Sequence, residues 1–460
     1  MGAITTRRYF DQAAFQRGRL RDAAEATTTF YDVAFAGDGN NDNDPPPLLL
    51  AADSQGMVRA YLSSAVAATW LTAREAEPSS DPVFAWRAHD DGACYRLVLM
   101  PRAGLALTAG DDGRVRGWRL SEIGEAAAAA AARRREEEEE QKQEDSEEQR
   151  RPASATVRRR PPLAPTAPLS PAFELRLPNP NPRHPPPAAQ ALACDDHPGR
   201  EPAAFFGGSD GGIYGVWGLG DGRAEPSSPF GGGSGGGGGV LALDVCPATG
   251  ALASGGEDGV VRVWASASQQ QQQQQPVVSF VAGREVATAV AGGLPGAAAG
   301  AATSGAATAS TTASSYVSSL KFDSGTGGWL VAGTGAGEIE LYSLPMRALA
   351  RRAAAAASNS GNNNSNSTLV PQALLLRPGE ILAAGTCPAL VSHRFSLDPP
   401  SELARCSVAT DSAFALASSQ RGGGGVVAVA GSGATIELLS AQFTRLGLVQ
   451  PPPSSSAVEM

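Results

Sequence analysis

The sequence has little of what enzymes, membrane spans and disulfide-framed domains are made from. Only five cysteines occur in 460 residues, Cys94, Cys194, Cys246, Cys387 and Cys406, and none forms a CxxC pair. That spacing excludes a disulfide frame and a zinc site and fits small apolar core residues in a reducing compartment. There is no H-E-x-x-H, no G-x-S-x-G and no Gly-rich loop closing on GK[ST], so neither zinc hydrolysis, nor a serine nucleophile, nor a phosphate cradle has residues to rest on. "GDGNNDND" from Gly37 is calcium-like in composition but lacks the closing glutamate of an EF-hand. The expectation is a protein that is not an enzyme, with no cofactor, no metal and no small-molecule substrate. No run of about 18 apolar residues is long enough to cross a membrane. The opening "MGAITTRRYF" has no apolar core of a secretory signal. Positive charge is short as well: 37 Lys and Arg against 46 Asp and Glu give a net charge of -9. That balance argues against a nucleic-acid-binding surface over the whole protein.

Glycine and proline are abundant, 54 and 34, and they are clumped. Composition places a charged and Pro-rich insert at 123–171, a Gly-rich insert at 222–239, a low-complexity insert at 266–314 and an Ala/Asn/Ser insert at 351–370, with a tail at 449–460. These stretches carry too little apolar surface to offset the entropy of ordering, and they read as disordered. Within the first, the run Glu136 to Glu140 between arginines reads as a solvated charged helix. What is left is about the size of one all-β domain.

One phrase recurs in that remainder. "GDDGRVRGW", Gly110 to Trp118, returns as "GEDGVVRVW", Gly256 to Trp264, and more loosely as "GSDGGIYGVW", Gly208 to Trp217. Aligned on the glycine turns, hairpin units begin at Leu48, Leu105, Ala203, Gly250, Gly328, Glu380 and Val426. Each is two apolar strands around a turn whose glycine tolerates positive φ. Short strands precede several of them, at Phe30, Cys94, Val240, Tyr316 and Ala413. A lone sheet of three or four strands buries too little to fold by itself, whereas radially packed sheets bury one another. The predicted fold is all-β: a seven-bladed WD-repeat β-propeller over 28–448, with a short N-terminal helix at 7–26 and long disordered inserts. Loop closure entropy grows only logarithmically with length, so the inserts do not oppose closure of the fold.

In the second unit His89, Thr108, Asp112 and Trp118 form a candidate structural cluster, with Ser254, Asp258 and Trp264 in the same register of the fourth. The aspartate is expected to cap the turn, and the tryptophan to lie in the core and donate its one N–H. In the fourth unit a glycine run stands where the histidine would be, and in the third Gly211 stands where the turn aspartate would be. The N-terminal segment reads as an amphipathic helix. Tyr9, Phe10, Phe15, Arg17, Arg19 and Arg21 are its candidate docking residues. Packing on the propeller's own edge and docking of a partner are both open for it.

The run "FQRGRLRDAAEATTTFYDVAFAG" with "LLLAADSQGMVRAYLSS", and "AHDDGACYRLVLM" with "LTAGDDGRVRGWRLSEI", resemble the first two blades of the THO complex subunit 6 family. "ILAAGTCPALVSHRFSL" and the units after it are similar to that family's last two blades. The resemblance spans most of the predicted core and none of the inserts. It implies a non-catalytic, nuclear scaffold of the THO/TREX assembly that couples transcription to mRNP packaging and mRNA export. It also implies other THO subunits as partners, with RNA reached only through the complex and no membrane. The alternative is a substrate receptor of a cullin-RING ubiquitin ligase, which docks through W-D-x-R. Trp118, Trp217 and Trp264 are followed by Arg-Leu-Ser, Gly-Leu-Gly and Ala-Ser-Ala, and no unit has that motif.

Overall fold

The computed structural model describes residues 28–37, 48–62, 82–148, 169–179, 185–219, 225–230, 238–266, 276–282, 315–355, 369–395, 402–419, 425–433 and 435–449. The expected N-terminal helix at 7–26, with its candidate docking residues, lies outside them. So does the tail beyond Val449. The chain divides into two compact units, residues 1–176 with 408–460, and residues 177–407.

The first unit holds three sheets. They are β1 (Phe30–Ala36), β2 (Leu48–Asp53), β3 (Met57–Leu62) and β4 (Phe84–Arg87); β5 (Cys94–Met100), β6 (Leu105–Gly110), β7 (Arg114–Arg119) and β8 (Phe173–Arg176); and β25 (Ala413–Ser419), β26 (Val426–Gly431), β27 (Ile436–Leu439) and β28 (Arg445–Val449). The second unit holds four. They are β9 (Ala189–Asp195), β10 (Ala203–Gly208), β11 (Ile213–Trp217) and β12 (Glu225–Phe230); β13 (Val240–Val245), β14 (Ala251–Gly256), β15 (Val260–Ser266) and β16 (Val278–Val281); β17 (Val317–Phe322), β18 (Trp329–Thr334), β19 (Glu338–Ser343) and β20 (Ala348–Ala354); and β21 (Pro371–Arg377), β22 (Glu380–Gly385), β23 (Ala389–Arg394) and β24 (Glu402–Ser407). Each sheet is a four-stranded meander in chain order. The fold is a mainly-β seven-bladed β-propeller, with one helix among the described residues.

Second strands are the most deeply set. "LLLAAD", "LALTAG" and "AAFFGG" are buried at every position, as expected of strands covered on both faces. The turns after them follow one rule. In five sheets the N–H of Gly56, Gly113, Gly211, Gly259 or Gly337 donates to the carbonyl three residues back. Each of these glycines has φ between 66° and 80°, a region that costs other residues strain.

Low-complexity composition hides some strands, and the helix expected at Glu136 to Glu140 is part of a longer one. α1 (Leu120–Glu148) occupies the first part of the expected insert at 123–171. Its run of alanines followed by Arg, Glu and Gln is made of the strongest helix formers, so it needs little burial to stay helical. Its first turns are anchored, because Ile123 and Ala127, one turn apart, are buried with Trp86 and Trp118 in one cluster. β12 falls within the expected insert at 222–239, β16 within that at 266–314, and the end of β20 within that at 351–370. These are fourth strands, each paired with the strand before it and lying beside low-complexity residues.

Candidate functional site

The residues singled out in the second blade come together. His89 Nδ1 lies 2.8 Å from Asp112 Oδ1, and Trp118 Nε1 donates to Thr108 Oγ1 at 3.0 Å. His89 and Thr108 are fully buried. The cluster is two pairs rather than one chain, since His89 Nε2 has no partner among the described residues. Asp112 caps the turn as expected, accepting from the Arg114 N–H at 3.1 Å. The β6–β7 register explains the convergence: Thr108 pairs with Arg116, and Ala106 with Trp118. The ring of His89 lies over Gly110, where a Cβ would meet it at 2.7 Å.

Arg116 was not singled out by the sequence, yet it holds the cluster together. Its guanidinium is buried, with Nη1 on the carbonyl of Ala88 and 3.4 Å from Asp112 Oδ2. Its Nη2 reaches Asp90 at 2.8 Å, and its Nε reaches Glu174 on β8 at 2.8 Å. The readable signal was Arg two residues before Trp, in both "RGW" and "RVW". Burial raises the Asp112 carboxyl, but the His89 hydrogen bond, the nearby charges of His89 and Arg116 and the Arg114 N–H together hold it below its ordinary 3.8. A depressed folded value adds stability that is present above the unfolded value and is lost as pH falls through the folded one. Asp112→Asn is therefore expected to cost about 1–2 kcal/mol near pH 7. The difference from the unaltered protein should shrink below about pH 4, as read by thermal melts across pH. A gap that stays constant down to pH 2 would contradict the charge-based account.

The fourth blade shares the register but not the bonds. Leu252 pairs with Trp264 and Ser254 with Arg262. Asp258 accepts from the Val260 N–H at 3.0 Å and pairs with Arg262 at 2.7 Å. Trp264 Nε1, by contrast, has no partner among the described residues. Gly239 takes the place that Ala93 has in the second blade, exchanging bonds with Glu257 as Ala93 does with Asp111.

The third blade corrects the sequence alignment. Asp210, not Gly211, is its turn aspartate, and accepts from Gly212 N–H at 3.0 Å and Tyr214 O–H at 2.8 Å. The extra residue falls in β11, so Val216 pairs with Ala204, where Trp118 pairs with Ala106 in the second blade. A one-residue slip sends a side chain to the other face of a strand. Val216 is fully buried, while Trp217 is only half-buried and meets Phe205 edge-on.

The remaining reactive groups are quiet. All five cysteines are free thiols. Burial pushes Cys194 up to about 12 and Cys94 well above its ordinary value, so both stay protonated at neutral pH. Among the described residues no group of three His, Cys, Asp or Glu side chains could hold a metal ion. No described helix is long and apolar enough to cross a membrane.

The WD domain, G-beta repeat family matches residues 230–265, which include β13, β14 and most of β15. No curated protein matches the chain's sequence. A solved structure, the crystal structure of the mitotic checkpoint complex, contains a chain that is similar at a TM-score of 0.53 and 12% identity. The likeness covers 88% of this chain and 85% of that one. At that identity the likeness speaks for the fold alone. WD40 propellers bind protein partners and are typically non-catalytic. The seven meander sheets make this chain a seven-bladed β-propeller, and one of its repeats, at 230–265, matches the WD domain, G-beta repeat family.

Proposed function

We propose that the chain is a non-catalytic scaffold subunit of a nuclear THO/TREX-like complex, coupling transcription to mRNP assembly and mRNA export. The observation that supports this reading is the second blade. The phrase that carries the resemblance, Ala88-His89 through Tyr95 to Asp111–Trp118, has its polar side chains bonded to one another: His89 with Asp112, Tyr95 with Asp111, Thr108 with Trp118, and Arg116 on the Ala88 carbonyl. Its polar groups brace one another, which suits a platform for partners better than a reaction centre. Its partners are the other THO subunits, and RNA is reached through them. A net charge of -9 agrees with protein partners. The N-terminal candidates Tyr9, Phe10, Phe15, Arg17, Arg19 and Arg21 belong to this proposal as a possible second contact.

The test is purification of the tagged full chain from nuclear extract, with nuclease treatment, read by mass spectrometry. Stoichiometric THO subunits that persist after nuclease are the expected result. A cullin and its adaptor without THO subunits would overturn the proposal in favour of a ligase receptor.

A further inference from the structure

Every sheet has a bulge at the second residue of its first strand. Pairing passes from Phe30↔Asp53 to Asp32↔Ala52, from Cys94↔Gly110 to Arg96↔Ala109 and from Ala413↔Gly431 to Ala415↔Ala430. The skipped residues are Tyr31, Tyr95 and Phe414. In the second unit the same position holds Gln190, Leu241, Ser318 and Gln372. A bulge frees one side chain from the pleat and re-aims it. In the first unit all three freed side chains are aromatic, and they meet. Tyr31 lies edge-on to Tyr95 at 5.2 Å between ring centroids, and 5.7 Å from Phe414. All three rings are half-buried, each leaving part of its surface to solvent.

The surroundings of the rings are acidic. Asp111 accepts from the Tyr95 O–H at 2.8 Å and from the Ala93 N–H at 3.0 Å. Burial, and then the Asp111 charge, raise the Tyr31 hydroxyl above its ordinary value. Exposed Asp91 and Asp411 precede β5 and β25, at the same ends of those strands as Tyr95 and Phe414. Of the cations nearby, Arg59 is taken by Asp53, and Arg116 by Asp90, Asp112 and Glu174. Asp91, Asp111 and Asp411 have no ion pair among the described residues, and Arg87 donates to the Gln55 carbonyl.

A flat guanidinium stacks on aromatic faces while its edge bonds a carboxylate. We propose that Tyr31, Tyr95 and Phe414, with Asp111 beside them, form a docking surface for an arginine-bearing segment of a protein partner. This rests on the interaction-scaffold reading and names the chemistry of one of its contacts. Lysine fits the surface less well, because its compact ammonium is more strongly hydrated and cannot stack as a plane.

The test uses the full chain and fluorescein-labelled peptides of Gly-Ser sequence carrying three arginines, three lysines or three glutamates, read by anisotropy. The arginine peptide should bind best, then the lysine peptide, with no binding by the glutamate peptide. Phe414→Leu and Tyr31→Leu keep apolar volume but remove the π face. Asp111→Asn keeps the acceptor for Tyr95 and removes the charge. Each should weaken the arginine peptide about fivefold, with circular dichroism and thermal midpoint unchanged. Binding by all three variants as tight as that of the unaltered chain overturns the proposal, as does equal affinity for arginine and lysine peptides. A full chain carrying Ser at Arg17, Arg19 and Arg21 that binds the arginine peptide at least tenfold more tightly also overturns it, since the chain's own N-terminal segment would then be the occupant. If Phe414→Leu still recovers THO subunits from nuclear extract while losing the peptide, the scaffold reading stands and the partner contact lies elsewhere.

Discussion

Replacing Trp118 with alanine is expected to destabilise the protein by about 3–5 kcal/mol. Trp118 is 2% exposed and lies in one cluster with Trp86, Ile123 and Ala127. It meets Trp86 edge-on at 5.9 Å. Alanine would leave a cavity where the indole was and strip the fully buried Thr108 hydroxyl of its donor. A large-to-small change costs the lost transfer energy plus the cavity, because the surroundings collapse only in part. An unsatisfied buried hydroxyl adds to that. The loss should appear as a drop of roughly 10 °C in the thermal midpoint. Trp217→Ala is the matched control. The two tryptophans look equivalent in sequence, but the slip in β11 leaves Trp217 half-buried and seats Val216 in the core. Its loss should cost less than half as much. Equal losses would contradict the register.

The second large effect comes from a single methyl group. Gly385 ends β22, and a Cβ there would stand 1.7 Å from the Val370 carbonyl oxygen. The same crossing recurs at Gly431, with Ser412 O at 1.8 Å, and at Gly256, with Gly239 O at 2.2 Å. In each case the backbone leading into a first strand passes over the end of the second. The blocking atom is main chain, so no side-chain rotation relieves the clash. Gly385→Ala is expected to cost about 3 kcal/mol, at the upper end for overpacking. Gly124→Ala, in α1, should do the opposite. No atom lies within 4 Å of a Cβ there, and alanine is the better helix former by about 0.5–1 kcal/mol. Urea unfolding of both variants checks the pair. A Gly385→Ala protein as stable as the unaltered chain would mean that the close approach is not present.

How far the fold was legible depended on how local its causes were. The seven hairpins could be read because two apolar runs around a short turn, with a turn glycine in five of them, need nothing beyond their neighbours. That His89, Thr108, Asp112 and Trp118 form one cluster was expected from the sequence, whereas the pairing of His89 with Asp112 and of Thr108 with Trp118 came from the structure. The fourth strands β12 and β16 were hidden because they lie beside glycine and glutamine runs, although β16 buries Val278 and Phe280. Of α1 only the charged run Glu136 to Glu140 was read as helix; the alanine run before it was placed in an insert, although it favours a helix and its buried first turns hold it.

By itself, then, the sequence determined the strand count per hairpin, the turn glycines and the scarcity of reactive groups, because these follow from residue type and short spacing. Tertiary structure alone decided which aspartate caps the third turn and which tryptophan is core, because a one-residue slip changes the face of a strand. It also decided the role of Arg116, whose partners Ala88, Asp90, Asp112 and Glu174 are far apart in the chain. The meeting of Tyr31, Tyr95 and Phe414 belongs to the same class. It needs three bulges on three sheets to point their side chains to one place, and no local pattern in the sequence encodes that.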